Sequence, residues 1–176
     1  MIYLCEREIG FDAAEIGFPS VMGCRAIVLV TGGGLFGYHL NGALNPGKQA
    51  AFVAFVNGHV QGATGKRLLY AASAGAGMPV DHQEIRSIAT ALGYGGPIYW
   101  AALATAGSLY VHYMDINHNT CGITARTWND GTDNVGPNKA LYLVGPDRAI
   151  ANGAPNANMF TNVSTAGLQA VYPTQI

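Results

Sequence analysis

Hydrophobic and polar residues alternate in blocks that divide the chain into strand-like and helix-like segments. Residues 25–30 form an unbroken aliphatic run after Arg25, which is typical of a buried strand. Residues 35–40 are predicted to pair back against it across the glycine-rich turn that precedes them. Other strands are predicted at 2–8, 67–74, 97–105, 108–114, 120–127 and 139–144, with 97–105 and 108–114 forming a hairpin.

Two further segments carry apolar residues at helical spacing. The first helix is predicted near residues 48–60, with Asn45 as its cap and a proline in the first turn. The second is predicted near residues 83–92, where Asp81 begins a capping-box-like sequence and Gly93 ends the helix.

This order of elements predicts an α+β fold. Two helices pack on a mixed, mostly antiparallel β-sheet or sandwich. A length of 176 residues suits a single domain, 1–176, with a sizeable core. Residues 145–176 are rich in Asn, Ala, Gly and Pro, so this C-terminal tail is predicted to be mostly loop.

Composition narrows the class of protein. Charged residues make up 11% of the chain and the net charge is −1, which gives no attraction to nucleic acid or to an anionic membrane. No apolar run is long enough for membrane insertion, and residues 1–8 do not resemble a secretory signal. Three cysteines without metal-binding spacing favour free thiols in a reducing compartment. The expected location is cytoplasmic, or the cytosol of a target cell reached without a classical signal.

The strongest chemical clue is a cysteine and a histidine that flank the aliphatic run and the glycine-rich turn. If the hairpin forms, Cys24 and His39 are carried toward the same end of it. A thiol within reach of an imidazole can act as a nucleophile with its base. Gly23 leaves room for a substrate to approach the sulfur, and the Cys24 N–H is the first candidate donor to an oxyanion. The alternative is that both residues are ordinary members of the core.

These residues resemble a known family. Gly23-Cys24, a hydrophobic strand, a glycine-rich turn and Gly37-Tyr38-His39-Leu40 are similar to the core of the CheD chemoreceptor glutamine deamidases. There a Gly-Ser-Cys segment is followed by a strand, a turn and a Gly-Leu-x-His stretch. The catalytic domains of the cytotoxic necrotizing factor toxins and the Burkholderia lethal factor share the fold. The resemblance covers roughly residues 2–127, and only the Cys and His motifs within it are specific.

The resemblance implies a CheD-like topology and a cysteine-dependent protein glutamine deamidase that acts through a thioester on a partner protein. Such an enzyme is either a bacterial signalling enzyme or an effector or toxin, and transfer to an amine is a side reaction. The family's threonine six residues before the cysteine is replaced here by Phe18, and Met22 replaces a small residue. The catalytic set is therefore Cys24, His39 and Ser20, with a carbonyl near Phe18 or the Asp115 side chain as other candidates to orient the imidazole.

Two weaker motifs are present, and neither predicts a cofactor site or a metal site. Gly32 to Gly37 matches G-x-G-x-x-G, but no helix start follows and the first acidic residue downstream is Asp81. The residues His112, Asp115, His118 and Cys121 recur at three-residue intervals, which on a strand places neighbours on opposite faces. The expected partner is a protein presenting a glutamine side chain. The alternative functions are a non-catalytic protein-binding module on a deamidase-like scaffold and a structural subunit.

Overall fold

Twelve strands and two helices form in the part of the chain that the computed structural model describes, which is residues 1–59, 64–73, 82–103, 107–129, 132–133, 147–149 and 163–176. In chain order they are β1 (Ile2–Tyr3), β2 (Glu8–Asp12), β3 (Glu15–Val21), β4 (Cys24–Thr31), β5 (Gly34–Asn41), α1 (Pro46–His59), β6 (Gly65–Ser73), α2 (His82–Ala91), β7 (Ile98–Leu103), β8 (Leu109–Asp115), β9 (Cys121–Thr127), β10 (Arg148–Ala149), β11 (Gln169–Val171) and β12 (Thr174–Gln175).

The strands form two sheets. The larger has the order β10-β2-β5-β4-β6-β7-β12, and the smaller has the order β1-β3-β8-β9-β11. Pairing is antiparallel except between β1 and β3, β10 and β2, and β6 and β7. The predicted class, α+β with a mixed and mostly antiparallel sheet arrangement and two helices, is confirmed.

The larger sheet lies between two hydrophobic layers, which explains why β4 is buried along its whole length. Because side chains alternate along a strand, Ala26 and Val28 enter the core between the two sheets. Ile27 and Leu29 face the other way, into the core that the sheet shares with α1 and α2. A strand covered on both faces reads as a continuous apolar run rather than an alternating one.

The β4–β5 hairpin is closed by a two-residue turn at Gly32 and Gly33. Gly34 follows with a φ of 136°, and a Cβ there would lie 2.7 Å from backbone atoms of Ala13 and Asp12. Only glycine fits this conformation and this close approach. The turn pairs Thr31 with Gly34, and this pairing fixes the register of every residue further along the hairpin.

Two strand predictions differ from the structure. Residues 97–105 and 108–114 do not form a hairpin, because β7 pairs with β6 in the larger sheet and β8 pairs with β3 and β9 in the smaller one. Residues 2–8 contain β1, a loop and only the first residue of β2, which lies in the other sheet. A strand pattern indicates which face is apolar but not which partner pairs with it. The strand predicted at 139–144 lies outside the described residues.

Both predicted helices form within two residues of their expected starts. The Asn45 side chain accepts a hydrogen bond from the Lys48 N–H at 2.9 Å, as expected of the cap of α1. Gly93, with a φ of 63°, follows the end of α2. Asp81 lies outside the described residues. Neither described helix is long and apolar enough to cross a membrane.

Loss of the α1 cap should have a modest cost. We expect Asn45→Ala to lower the free energy of unfolding by about 1 kcal/mol, because the Lys48 N–H loses its acceptor. Urea unfolding followed by circular dichroism measures this change. Asn57→Ala, at an exposed position of the same helix, is the control and should change stability by less than about 0.5 kcal/mol. Equal losses in the two variants would contradict the capping role.

Candidate active site

The β4–β5 hairpin places Cys24 and His39 on one face of the larger sheet. In the register of the hairpin, Cys24 is opposite Asn41 and Ala26 is opposite His39. Opposed residues share a face, so all four side chains point toward the smaller sheet. Cys24 and His39 are diagonal neighbours, for which Cβ atoms are about 7 Å apart in an antiparallel pair. The hairpin thus places the two residues singled out from the sequence on one face, but no hydrogen bond joins them among the described residues.

His39 is held by the segment that joins β1 to β2. Its Nδ1 lies 2.8 Å from the carbonyl oxygen of Leu4, and its ring is fully buried. The ring of Phe18 meets it edge-on at a centroid distance of 5.8 Å. Because a carbonyl only accepts, Nδ1 carries the proton and donates it to this bond. The lone pair of the neutral ring is then on Nε2.

The Nε2 atom of His39 is buried and has no hydrogen-bond partner among the described residues. Burial lowers the pKa of His39, while the Leu4 carbonyl and the negative charge of Glu6 act in the opposite direction. The imidazole is therefore neutral at pH 7, with a free basic nitrogen inside the protein. Unpartnered buried polar atoms are uncommon in proteins, and a catalytic role is one explanation for such an atom. In the described part of the chain, the other polar atoms buried without a partner are the Tyr38 hydroxyl, the Thr124 hydroxyl and one Asp147 oxygen.

Cys24 lies just below the surface, two residues after the exposed Met22. The expected open approach to its sulfur is wrong for this conformation, since the residue is only 3% exposed. Burial raises the pKa of the thiol to about 12, and the charge of Glu6 adds to this effect. Cys24 is therefore a neutral thiol rather than a thiolate at pH 7.

Two polar residues that the sequence analysis did not single out complete the group. The side-chain N–H of Asn41 donates a hydrogen bond to the carboxylate of Glu6, whose negative charge helps to raise the pKa of the Cys24 thiol. Asn41 could have been found from the sequence, because a two-residue turn at Gly32-Gly33 places it opposite Cys24. No local pattern marks Glu6, which comes from the loop between β1 and β2.

Arg25 stabilises the candidate site from the opposite face of β4. Its guanidinium donates to the carbonyls of Gly23 and Gly42, at 3.2 and 3.1 Å. It also forms an ion pair with Glu84 of α2 at 3.0 Å. Gly23 directly precedes Cys24 and Gly42 directly follows Asn41. One buried cation therefore holds both chain segments that flank the candidate site.

Ser20 does not orient His39. It lies at a bulge in β3 with a φ of 60°, and its hydroxyl is hydrogen-bonded to that of Ser108 at 3.0 Å. The carbonyl of Leu4 takes the orienting position instead. Asp115, the other side chain considered, accepts bonds from the backbone of residues 117 and 118 and from the His118 ring.

The metal-capable side chains are used in separate pairs. His112 bonds to Glu15 at 3.2 Å, on the outer face of the smaller sheet. His118 bonds to Asp115 at 2.8 Å in an exposed turn. Among the residues that the structure describes, no group of three or more His, Cys, Asp or Glu side chains is arranged to hold a metal ion.

Comparison with known proteins adds no family assignment. No protein-family model matches the chain, and no curated protein matches it. The chemistry of the Cys24–His39 site is therefore inferred from its geometry.

Proposed function

We propose that the protein is a cysteine-dependent glutamine deamidase that hydrolyses a side-chain carboxamide of a partner protein. The observation that carries the proposal is the unpartnered Nε2 of His39, buried on the same face as Cys24 while Nδ1 is fixed by the Leu4 carbonyl. A fixed, neutral imidazole on the same sheet face as a thiol can act as the general base of that nucleophile when the two side chains meet. The similarity of the Cys and His motifs to CheD-type deamidases supports the same chemistry.

The reaction proceeds in two halves. In the first, Nε2 of His39 removes the thiol proton while Sγ of Cys24 forms a bond to the carboxamide carbon. The tetrahedral intermediate collapses by breaking its C–N bond, and His39 returns the proton so that ammonia leaves. In the second half, His39 removes a proton from water, which attacks the thioester. The C–S bond breaks, the thiol is re-formed, and the product is a glutamate side chain.

The neutral resting thiol determines the timing of the proton transfer. A pKa of about 12 means that the thiolate is not populated before substrate binds. The proton therefore moves to His39 as the C–S bond forms. Hydrogen bonds to the carbonyl oxygen of the substrate carboxamide lower the barrier for such a step. The same transfer allows an amine to replace water, which would give transglutamination.

The test is the conversion of protein glutamine to glutamate. Lysates of bacterial and human cells are incubated with the purified protein, and peptide mass spectrometry detects glutamine residues that gain about one dalton as ammonia is replaced by water. We expect the gain with the native chain and not with Cys24→Ser. Cys121→Ser alters a half-buried thiol on β9 and should retain the activity. No conversion by the native chain, or undiminished conversion by Cys24→Ser, would refute the proposal.

A non-catalytic protein-binding module on this scaffold is the second candidate. The 3% exposure of Cys24 favours it, because a sealed thiol does not reach a substrate without a rearrangement. The same experiment separates the two functions. A binding module leaves glutamine masses unchanged in both lysates with the native chain.

A further inference from the structure

The loop between β1 and β2 is attached to His39 at two points. The carbonyl of Leu4 bonds to the imidazole at 2.8 Å, and the N–H of Arg7 bonds to the backbone carbonyl of His39 at 2.7 Å. Glu6 lies between these two anchors, so its backbone is fixed relative to the catalytic hairpin. Its side chain enters the site from the open end of β4 and β5.

The Glu6 carboxylate occupies the space beside the nucleophile. It accepts a hydrogen bond from the side-chain N–H of Asn41, and its negative charge lies close enough to the thiol of Cys24 to raise its pKa. Asn41 is the direct cross-strand partner of Cys24, and opposed Cβ atoms in an antiparallel pair are about 5 Å apart. A carboxylate oxygen is therefore held by the amide donor of the residue directly opposite Cys24.

We propose that Asn41 holds the carboxamide oxygen of the substrate glutamine during attack, and that Glu6 occupies the substrate's place in the resting protein. This inference rests on the proposed deamidase function and adds a catalytic residue and an internal competitor to it. A glutamate side chain is the product of glutamine deamidation and has the same length and shape as the substrate. In the resting protein the Glu6 side chain thus occupies the position that the glutamate side chain of the product would take.

The proposed role of Asn41 follows from the charge that develops in the reaction. Negative charge builds on the carboxamide oxygen as the C–S bond forms, and a preoriented N–H strengthens its bond to that oxygen at the same time. Asn41 already donates to a negatively charged oxygen at this place. Its hydrogen bond is therefore available to the tetrahedral intermediate without rearrangement.

The proposed role of Glu6 explains why the nucleophile is covered. The loop that carries Glu6 must move, or its side chain must swing out, before a glutamine of another protein reaches the sulfur. Displacement of the Glu6 carboxylate also takes a negative charge away from the thiol. Substrate binding would thereby both uncover Cys24 and favour its ionisation.

The variant Glu6→Gln tests the inference with the chain as its own substrate. It places a carboxamide at the proposed position, so Cys24 should hydrolyse it back to glutamate. Peptide mass spectrometry should find glutamate at position 6 of a protein whose gene encodes glutamine there. Conversion during expression is therefore detected as well as conversion after purification.

Three further variants separate the steps. Adding Cys24→Ser to Glu6→Gln should leave the encoded glutamine unchanged. Adding Asn41→Ala should slow the conversion about 100-fold, as expected for loss of one oxyanion donor. Glu15→Gln, which alters another carboxylate on the far face of the smaller sheet, is the control and should keep its glutamine.

The outcomes distinguish this inference from the proposed function. An unchanged glutamine in Glu6→Gln, together with deamidation of other proteins by the native chain, overturns the inference and leaves the proposed function standing. Conversion that persists with Cys24→Ser, or that is not slowed by Asn41→Ala, overturns the assigned roles. An unchanged glutamine without any deamidation of other proteins overturns both proposals.

Discussion

Replacing Arg25 with leucine should lower the free energy of unfolding by about 3–5 kcal/mol, the cost of leaving a buried charge without its partner. The side chains of Arg25 and Glu84 are only 7% and 9% exposed. Arg25 also donates to the hydroxyl of Tyr70 at 3.0 Å and to the carbonyls of Gly23 and Gly42. Leucine fills part of the space but leaves the Glu84 carboxylate and these acceptors without this donor.

Urea unfolding at neutral pH measures this loss. Arg86→Ala removes an exposed cation from the same helix, α2, and should change stability by less than about 0.5 kcal/mol. The double variant Arg25→Leu, Glu84→Leu should lose less free energy of unfolding than the sum of the two single variants. The second change removes the carboxylate that the first leaves without its partner. Strict additivity, or a loss below about 1 kcal/mol for Arg25→Leu, would contradict a buried ion pair between β4 and α2.

The protein should also lose stability in mild acid because of His39. Burial lowers the pKa of His39 in the folded state below the value of about 6.5 for an exposed histidine. Above pH 6.5 the ring is neutral in both states, and its contribution is fully present. Below that pH the unfolded chain binds a proton that the folded protein excludes, so stability falls by about 1.4 kcal/mol per pH unit until the folded pKa is reached.

The expected loss between pH 7.5 and pH 5.0 is at most about 2 kcal/mol from this residue, the amount reached if the folded ring stays neutral over the whole range. Urea unfolding at the two pH values measures it, and the native chain is compared with His39→Gln, in which this part of the pH dependence should disappear. His82→Gln alters an exposed histidine at the start of α2 and should keep the full dependence. An identical dependence in the native chain and His39→Gln would show that the ring is not buried in its neutral form.

Most of the elements that carry the site were predictable from local patterns. The aliphatic run at 25–30 and the glycines after it predict the hairpin, and β4 and β5 form there. The period of two along a strand, together with a two-residue turn, is sufficient to place Cys24 and His39 on one face. The same rule places Asn41 opposite Cys24, although the sequence analysis did not apply it.

The residues that tune the site come from elsewhere in the chain. The Leu4 carbonyl and the Glu6 side chain reach His39 and Cys24 across more than 15 residues of sequence, and no motif marks either of them. The resemblance to deamidases directed attention to Ser20, but Ser20 lies on β3 and its hydroxyl pairs with Ser108. The partner of a histidine nitrogen depends on which loop packs against the ring.

The sequence by itself determined the helices, strands β4 to β9, the glycine turn and the shared face of Cys24 and His39, because these depend on side-chain period and backbone conformation over a few residues. Strand β3 and the short strands β10 to β12 were not predicted. Only the tertiary structure decided that β7 and β8 belong to different sheets, that Cys24 is buried, and that Glu6 bonds to Asn41 opposite it. These features depend on how two sheets and a helical layer share their apolar faces. That balance of packing involves the whole chain, and no local pattern encodes it.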